Sequence, residues 1–275
     1  MSVLLQISDP HFGTERAQVA AALLEFARVQ KPSLAILSGD ITQRARRHEF
    51  RAAVDFVRAL EVPRCLVVPG NHDIPLFNLP ARIFSPYAAY QRAFGADLEP
   101  EHESQALLVL CVNTTRPRRL TDGEVSDEQI ERVAARLRRA SREQLRVVVT
   151  HQPVHVIRDA DQHNVLIGHE RAVRAWAAAG ADVILGGHIH LPYVRALADA
   201  FLQLPRRVWV VQAGTAVSRR VRAGIPNSIN VLRHCEPSAG FCRVERWDYD
   251  ADQGAFARVE ALDLALDRAG PTPRL

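Results

Sequence analysis

Five times in the first 190 residues a short apolar run stops and side chains with chemistry follow at once. The run at residues 3–7 leads into Asp9 and His11, and that at 34–37 into Ser38-Gly39-Asp40. The run at 65–68 leads into Pro69-Gly70-Asn71-His72-Asp73, that at 147–149 into His151, and that at 183–185 into Gly186-Gly187-His188-Ile189-His190. Helical spacing fills the gaps, at 17–29 and at 49–60, where Phe50, Val54, Val57 and Leu60 share a face. A β-loop-α-β-loop-α-β order commits the chain to parallel strands with helical crossovers.

From 74 to about 105 the pattern breaks. Pro75, Pro80, Pro86 and Pro100 predict a long excursion with one short helix over 87–94, and such excursions often shape a pocket. A strand at 107–112 and a helix at 126–139 follow. Ser126 and Gln129 have the spacing of a capping box at that helix start. A helix at 168–179 precedes the run that ends in the two histidines. After Pro192 the segments at 208–211, 229–232, 242–247 and 256–262 are β-like with few helical signals. We therefore expect residues 192–263 to form mostly a second, antiparallel sheet. One domain is expected over 1–263, with a frayed tail at 264–275.

The chain has 275 residues, 47% of them hydrophobic, so it can bury a substantial core. It has no apolar run of ~18 residues or more, and its start lacks the pattern of a signal peptide. No membrane partner is expected, and the expected location is the cytoplasm. None of Cys65, Cys111, Cys235 and Cys242 forms a C-x-x-C pair, which argues against a thiolate metal site. Cys235 and Cys242 could face each other across a hairpin. The formal charge is +4, carried almost wholly by arginine. The arginines are scattered rather than grouped on one segment, which disfavours nucleic acid as a partner. A homo-oligomer stays open.

The carboxyl ends of parallel strands share one edge, so the polar residues after each run should converge there. Two aspartates, four histidines and an asparagine offer oxygen and imidazole ligands without thiolate. Such a set suits manganese, iron or zinc. It exceeds the needs of one open metal site and suits two ions sharing a carboxylate. Two divalent ions over two aspartates leave net positive charge, which fits a phosphate-bearing substrate.

Taken in order, Asp9-x-His11, Gly39-Asp40, Gly70-Asn71-His72-Asp73, His151 and Gly187-His188-x-His190 resemble the calcineurin-like metallophosphoesterase superfamily. The resemblance implies an α/β fold, a four-layer α/β/β/α sandwich of two mixed sheets with outer helices. It implies that Asp9, His11, Asp40 and His190 hold one metal ion. Asp40, Asn71, His151 and His188 would hold the other, with Asp40 bridging. His72 matches the family histidine that binds no metal and acts as acid beside the leaving group. Asp73 would support its loop. The implied reaction is in-line attack on phosphorus by a hydroxide held between two ions, with Mn or Fe favoured and Zn open.

The stretch after Gly39-Asp40 lacks the second Asp and the Arg-Gly of the family's protein phosphatases. The Gly-Asp-Ile-Thr form, the Gly-Asn-His-Asp form and the compact length resemble class III cyclic-nucleotide phosphodiesterases and their bacterial relatives. Asn113-Thr114-Thr115-Arg116 resembles a loop of that branch. A phosphodiesterase for small diesters is the expected activity, with a phosphomonoesterase or nucleotide pyrophosphatase as the alternative and a nuclease less favoured. Arg116, His155 and His163 are candidate substrate contacts. Phe12, Phe77, Tyr87 and Tyr193 are candidates for stacking a base.

Overall fold

Burial on both faces decides how the apolar runs are used. A computed structural model describes residues 2–222, 224–234 and 240–268. In the strands β1 (Ser2–Ile7), β2 (Leu34–Ser38) and β3 (Cys65–Val68) nearly every side chain is buried. Such strands read as continuous apolar runs because helices cover one face and a second sheet the other. They pair in parallel, β1 with β2 and β2 with β3. The crossovers are the helices α1 (Ala17–Gln30) and α2 (Arg47–Ala59).

The excursion carries two short helices, α3 (Leu79–Phe84) and α4 (Ala88–Phe94), and a short strand, β4 (Glu101–Glu103). The chain then changes sheet. Strands β5 (Leu107–Cys111), β6 (Leu145–Val149) and β7 (Val183–Gly186) are again parallel, linked by α5 (Asp127–Arg138) and α6 (His169–Ala179). The predicted capping box is present, since the Ser126 hydroxyl accepts from Gln129 N and the Gln129 side chain from Ser126 N.

The expectation for 192–263 requires correction. Strands β8 (Tyr193–Ala196) and β9 (Trp209–Gln212) join the sheet of β5–β7, whereas β10 (Ser228–His234), β11 (Phe241–Asp250) and β12 (Ala255–Ala265) extend the sheet of β1–β3. The orders are β12-β11-β10-β1-β2-β3 and β4-β5-β6-β7-β9-β8. The later segments therefore complete both sheets instead of building one. The boundary at 263 also falls inside an element: β12 continues to Ala265, and Leu264 and Leu266 are buried. Cys235, and with it any pairing to Cys242, lies outside the described residues.

Three cores define the four layers. Leu4, Ile36 and Val68 of one sheet meet Val109, Val147 and Leu185 of the other between the sheets. Alternate residues of β1 (Val3, Leu5 and Ile7) point outward under α1 and α2. On the far side Leu108, Val148 and Ile184 pack under α5 and α6 with Trp176. This is the α/β/β/α sandwich. Near one end the apolar inter-sheet layer gives way to a polar seam. There buried Gln6 donates to Gly186 O at 3.0 Å and accepts from Asn230 Nδ2 at 3.0 Å. No helix among the described residues is long and apolar enough to cross a membrane.

Candidate metal centre and active site

The site sits where the strand ends of the two sheets meet, not along one edge of a single sheet. Asp9, Asp40 and Asn71 follow β1, β2 and β3, and His151, His188 and His190 follow β6 and β7. Each aspartate is oriented by donors on one side. Asp9 Oδ2 accepts from Ser8 Oγ at 2.6 Å and from His188 N at 3.0 Å. Its Oδ1 is left 3.4 Å from His190 Nε2 and 3.9 Å from His11 Nε2. Asp40 faces both ways. Its Oδ2 lies 3.7 Å from His11 Nε2, and its Oδ1 lies 3.3 Å from His151 Nε2.

The ring nitrogens can be assigned from carbonyl partners, which only accept. His190 Nδ1 donates to Arg220 O at 2.6 Å, and His151 Nδ1 to Ser38 O at 3.0 Å. In the neutral rings each Nε2 is therefore a lone pair aimed inward. His190 Nε2 meets His11 Nε2 at 3.2 Å, and His151 Nε2 meets Asn71 Oδ1 at 3.3 Å. His188 Nδ1 is buried with no hydrogen-bond partner among the described residues. Converging acceptors with too few protons between them are a poor arrangement for hydrogen bonds and a good one for cations. Three overlapping groups form among the described residues, Asp9-His11-His190, His11-Asp40-His72 and Asp40-His151-His188, with ligand atoms of each within 4.8 Å of one another. The middle group puts Asp40 between the outer two, 3.7 Å from His11 Nε2 and 3.3 Å from His151 Nε2. The seven residues expected as ligands are thus brought together, and the donor set fits two ions.

Their electrostatics follow from burial and mutual proximity. Burial works to raise the Asp9 carboxyl, but the charge and hydrogen bond of His190 outweigh it and hold the group at about 2. Asp40 behaves alike and lies well below the usual range, chiefly through His151 and His72. Burial pushes His11 down to about 3 and His188 to about 4. Burial opposes charging of His151 too, but Asp40 beside it carries the ring up to about 9. The centre therefore keeps its carboxylates ionised at every ordinary pH.

Backbone conformation marks the same residues. Asp9, His11, Asp40, His188 and His190 all have positive φ, between 44° and 71°, in the left-handed region that non-glycine residues avoid. The cost, about 1–3 kcal/mol for each such residue, is borne where it aims ligands. Gly39, Gly70 and Gly187 permit the close approach. A Cβ on Gly39 would overlap the His151 ring, one on Gly70 would overlap Asp40, and one on Gly187 would overlap Ser8 Oγ.

A pocket of about 280 Å³ opens over the centre, lined by Asn71, His72, Thr121, His163, Asn164 and Arg220 among others. His72 Nδ1 donates to Gln43 O at 2.9 Å, so Nε2 faces the pocket, 3.2 Å from Arg220 Nη1. Asp73 does not face the pocket. Fully buried beneath the loop, it accepts from Ile41 N at 3.0 Å, Thr42 N at 2.8 Å and Gly70 N at 2.9 Å. It is a positioning residue, and burial together with Asp40 raises it to about 6.

Of the candidate substrate contacts, His163 lines the pocket and the other two lie elsewhere. The Arg116 guanidinium is committed to Asn113 O, Thr115 O and Gln129 Oε1. The His155 ring stacks edge-on with Phe201. Phe12 and Tyr193 are buried, and the Tyr87 hydroxyl bonds to Thr115. Only Phe77 is open, 79% exposed under Arg44. Gln43, next to that arginine in the chain, accepts from His72 Nδ1 and from Arg220 Nη1 at the pocket. The reading of the sequence missed Arg220 and Asn164. The cluster Arg219-Arg220-Val221-Arg222 was the only available signal for the first.

Comparison with known proteins agrees with this geometry. The family model described as calcineurin-like phosphoesterase matches residues 2–192. A probable cyclic nucleotide phosphodiesterase of Synechococcus is 25% identical over 212 residues, covering 70% of this chain and 74% of its own. A probable glycerophosphodiester phosphodiesterase of Arcobacter nitrofigilis is 28% identical over 201 residues, covering 68% and 71%. Among solved structures, a dimetal phosphatase from Danio rerio superposes with a TM-score of 0.64 at 14% identity, covering 97% of this chain and 99% of that one. A purple acid phosphatase from yellow lupin gives 0.69 at 12% identity, covering 100% of this chain and 57% of the other. With five motifs on two sheets, seven candidate ligands brought together and a family match over most of its length, the chain belongs to the calcineurin-like phosphoesterase family.

Proposed function

We propose that the chain is a metal-dependent phosphodiesterase for small diesters such as cyclic nucleotides. The observation that carries this reading is the pair of ligand clusters with Asp40 standing between them, directly under a pocket that holds His72 and Arg220. Asp9, His11, Asp40 and His190 would hold one ion, and Asp40, Asn71, His151 and His188 the other, with Mn or Fe favoured. Bound there, the ions would supply Lewis acidity at phosphate oxygens and an activated water.

The remaining work belongs to side chains. The Arg220 guanidinium, with its backbone carbonyl fixed by His190, is placed to pair with a phosphoryl oxygen. With Nδ1–H held by Gln43, His72 can receive a second proton only at Nε2. From there it can pass that proton to a departing alkoxide, once the substrate draws Arg220 away. Asp73 keeps the 71–73 turn against the 41–42 backbone, so the His72 ring stays in reach.

Two observations favour a diester over a monoester. Arg220 is the one arginine lining the pocket, which suits a monoanion better than a dianion. Exposed Phe77, under Arg44 and so close to Gln43 at the pocket, offers a seat for an apolar or aromatic substituent on the ester. The curated relatives, both named as probable diesterases, support the same preference.

The test is turnover of bis-p-nitrophenyl phosphate against p-nitrophenyl phosphate, followed by cyclic nucleotides and glycerophosphodiesters, after chelation and return of Mn²⁺. We expect no turnover without metal and a preference for the diester of about tenfold or more. Activity that survives complete metal removal would sink the metal-dependent reading. A preference for monoesters would replace it with a phosphomonoesterase or nucleotide pyrophosphatase.

A further inference from the structure

At the opposite end of the second sheet from the metal centre, a cleft of about 470 Å³ opens beside Gly180, between the starts of β6 and β7. We propose that it binds a small phosphate monoester, the phosphate on its arginines and an apolar or flat body against its alanine-rich wall.

Charge carries the argument. Arg138, Arg142, Arg146, Arg206 and Arg268 line the cleft. Among the described residues the carboxylates that face them are Asp182, Asp267 and Glu131, the last 3.7 Å from Arg138 Nη2. Asp182 is already satisfied by Arg146, which grips it through Nε and Nη2 at 3.1 Å each. Arg206 and Arg268 then crowd the same carboxylate, at 2.7 and 3.3 Å. Arg206 also donates to Asp267 O, and Arg268 to Gln144 O at 2.9 Å, but three guanidinium groups still share one buried aspartate and leave a local excess of positive charge.

Unused donors point the same way. Arg206 Nε, Arg268 Nε and Arg268 Nη2 are buried with no hydrogen-bond partner among the described residues. The Arg206 side chain is 8% exposed, so water does not replace the missing partner freely. Burial pulls both groups below the ordinary arginine range. Geometry supplies the seat. Where a Cβ on Gly180 would stand, Arg146 Nη1 is 2.7 Å away and Arg206 Nη1 3.4 Å. Two guanidinium edges thus converge beside Gly180, which lets them approach the backbone and present their donors together to the oxygens of a dianion in the cleft. Leu137, Ala140, Ala178 and Pro205 form the apolar side of the cleft, and the exposed Arg138 and Arg142 stand at its mouth.

This site is independent of the reaction proposed above. Because phosphate would also visit the metal centre, the readout must be local. Hydrogen exchange of the metal-loaded full chain is measured with AMP and, separately, with inorganic phosphate. We expect slower exchange over residues 138–147, 177–182 and 204–208, half-saturated at about tenfold lower AMP than phosphate. The double variant Arg138→Glu, Arg142→Glu should weaken that protection by about tenfold or more while turnover of bis-p-nitrophenyl phosphate stays unchanged. Protection confined to the metal loops, or undiminished in the double variant, would overturn the site. Equal half-saturation by the two probes would overturn the seat for a body.

Discussion

His72 shows how much a single residue's role depends on contacts far away in sequence. Its motif, Gly70-Asn71-His72-Asp73, was legible, but its pairing with Arg220 was not, because the two lie 148 positions apart. Arg220 comes from an irregular loop, and nothing local sets it apart from Arg219 or Arg222. Only the fold brings it beside His72 and gives its carbonyl to His190. Arg116 failed for the converse reason. Its sequence context resembled a substrate loop, but Asn113, Thr115 and Gln129 take up its donors. If His72 delivers a proton to the leaving group, its value depends on how much the leaving group needs one. His72→Ala should slow an alkyl diester by about 10²–10⁴-fold. Bis-p-nitrophenyl phosphate, whose phenolate leaves unaided, should slow far less, with the metal content unchanged. Equal losses in the two rates would remove the acid role.

At the scale of elements, each strand end was readable and the allocation of strands to sheets was not. An apolar run followed by glycine and a ligand residue announces a buried parallel strand. It does not say which neighbour the strand pairs with. The change of sheet happens within the proline-bearing excursion, and β10–β12 return to β1 because β1 still has a free edge. The loops after the strands depend on one another in turn. Asp73, after β3, binds the backbone of the loop after β2 through Ile41 and Thr42, and takes the Thr42 hydroxyl at 2.8 Å. Removing it would orphan those donors in a fully buried place, at about 1–3 kcal/mol for an unsatisfied group. Asp73→Ala should therefore lower stability by about 2–4 kcal/mol in urea unfolding, part of the loss being relieved by rearrangement. It should also weaken Mn²⁺ binding, because Asn71 and Asp40 sit on the two loops it joins. A variant as stable as the parent, with intact metal affinity, would contradict this account.

For the whole molecule, the metal centre is also a joint. Asp9, Asp40 and Asn71 belong to one sheet, and His151, His188 and His190 to the other. Through the middle of the sandwich the sheets meet through apolar side chains, at this end through charges and lone pairs, and at the far end Arg268, after β12, reaches Asp182. Without cations, the two fully buried carboxylates are balanced by His151 and His190, which they hold above the usual imidazole range, while burial keeps His11 and His188 from charging. Ions that bind only the folded chain stabilise it by mass action, by about 4 kcal/mol when free metal exceeds its Kd a thousandfold. For a chain of this size one kcal/mol moves Tm by about 2–4 °C. Chelation should thus lower Tm by about 8–16 °C, and added Mn²⁺ should restore it. Asp40→Ala removes the carboxylate that stands between the clusters but leaves Asp9, His11 and His190, so its Tm should respond to chelator and Mn²⁺ clearly less than that of the parent. The parent chain unfolding at one temperature with and without metal would show that the apolar layer alone holds the sheets together. A response undiminished in Asp40→Ala would show that the ions bind elsewhere.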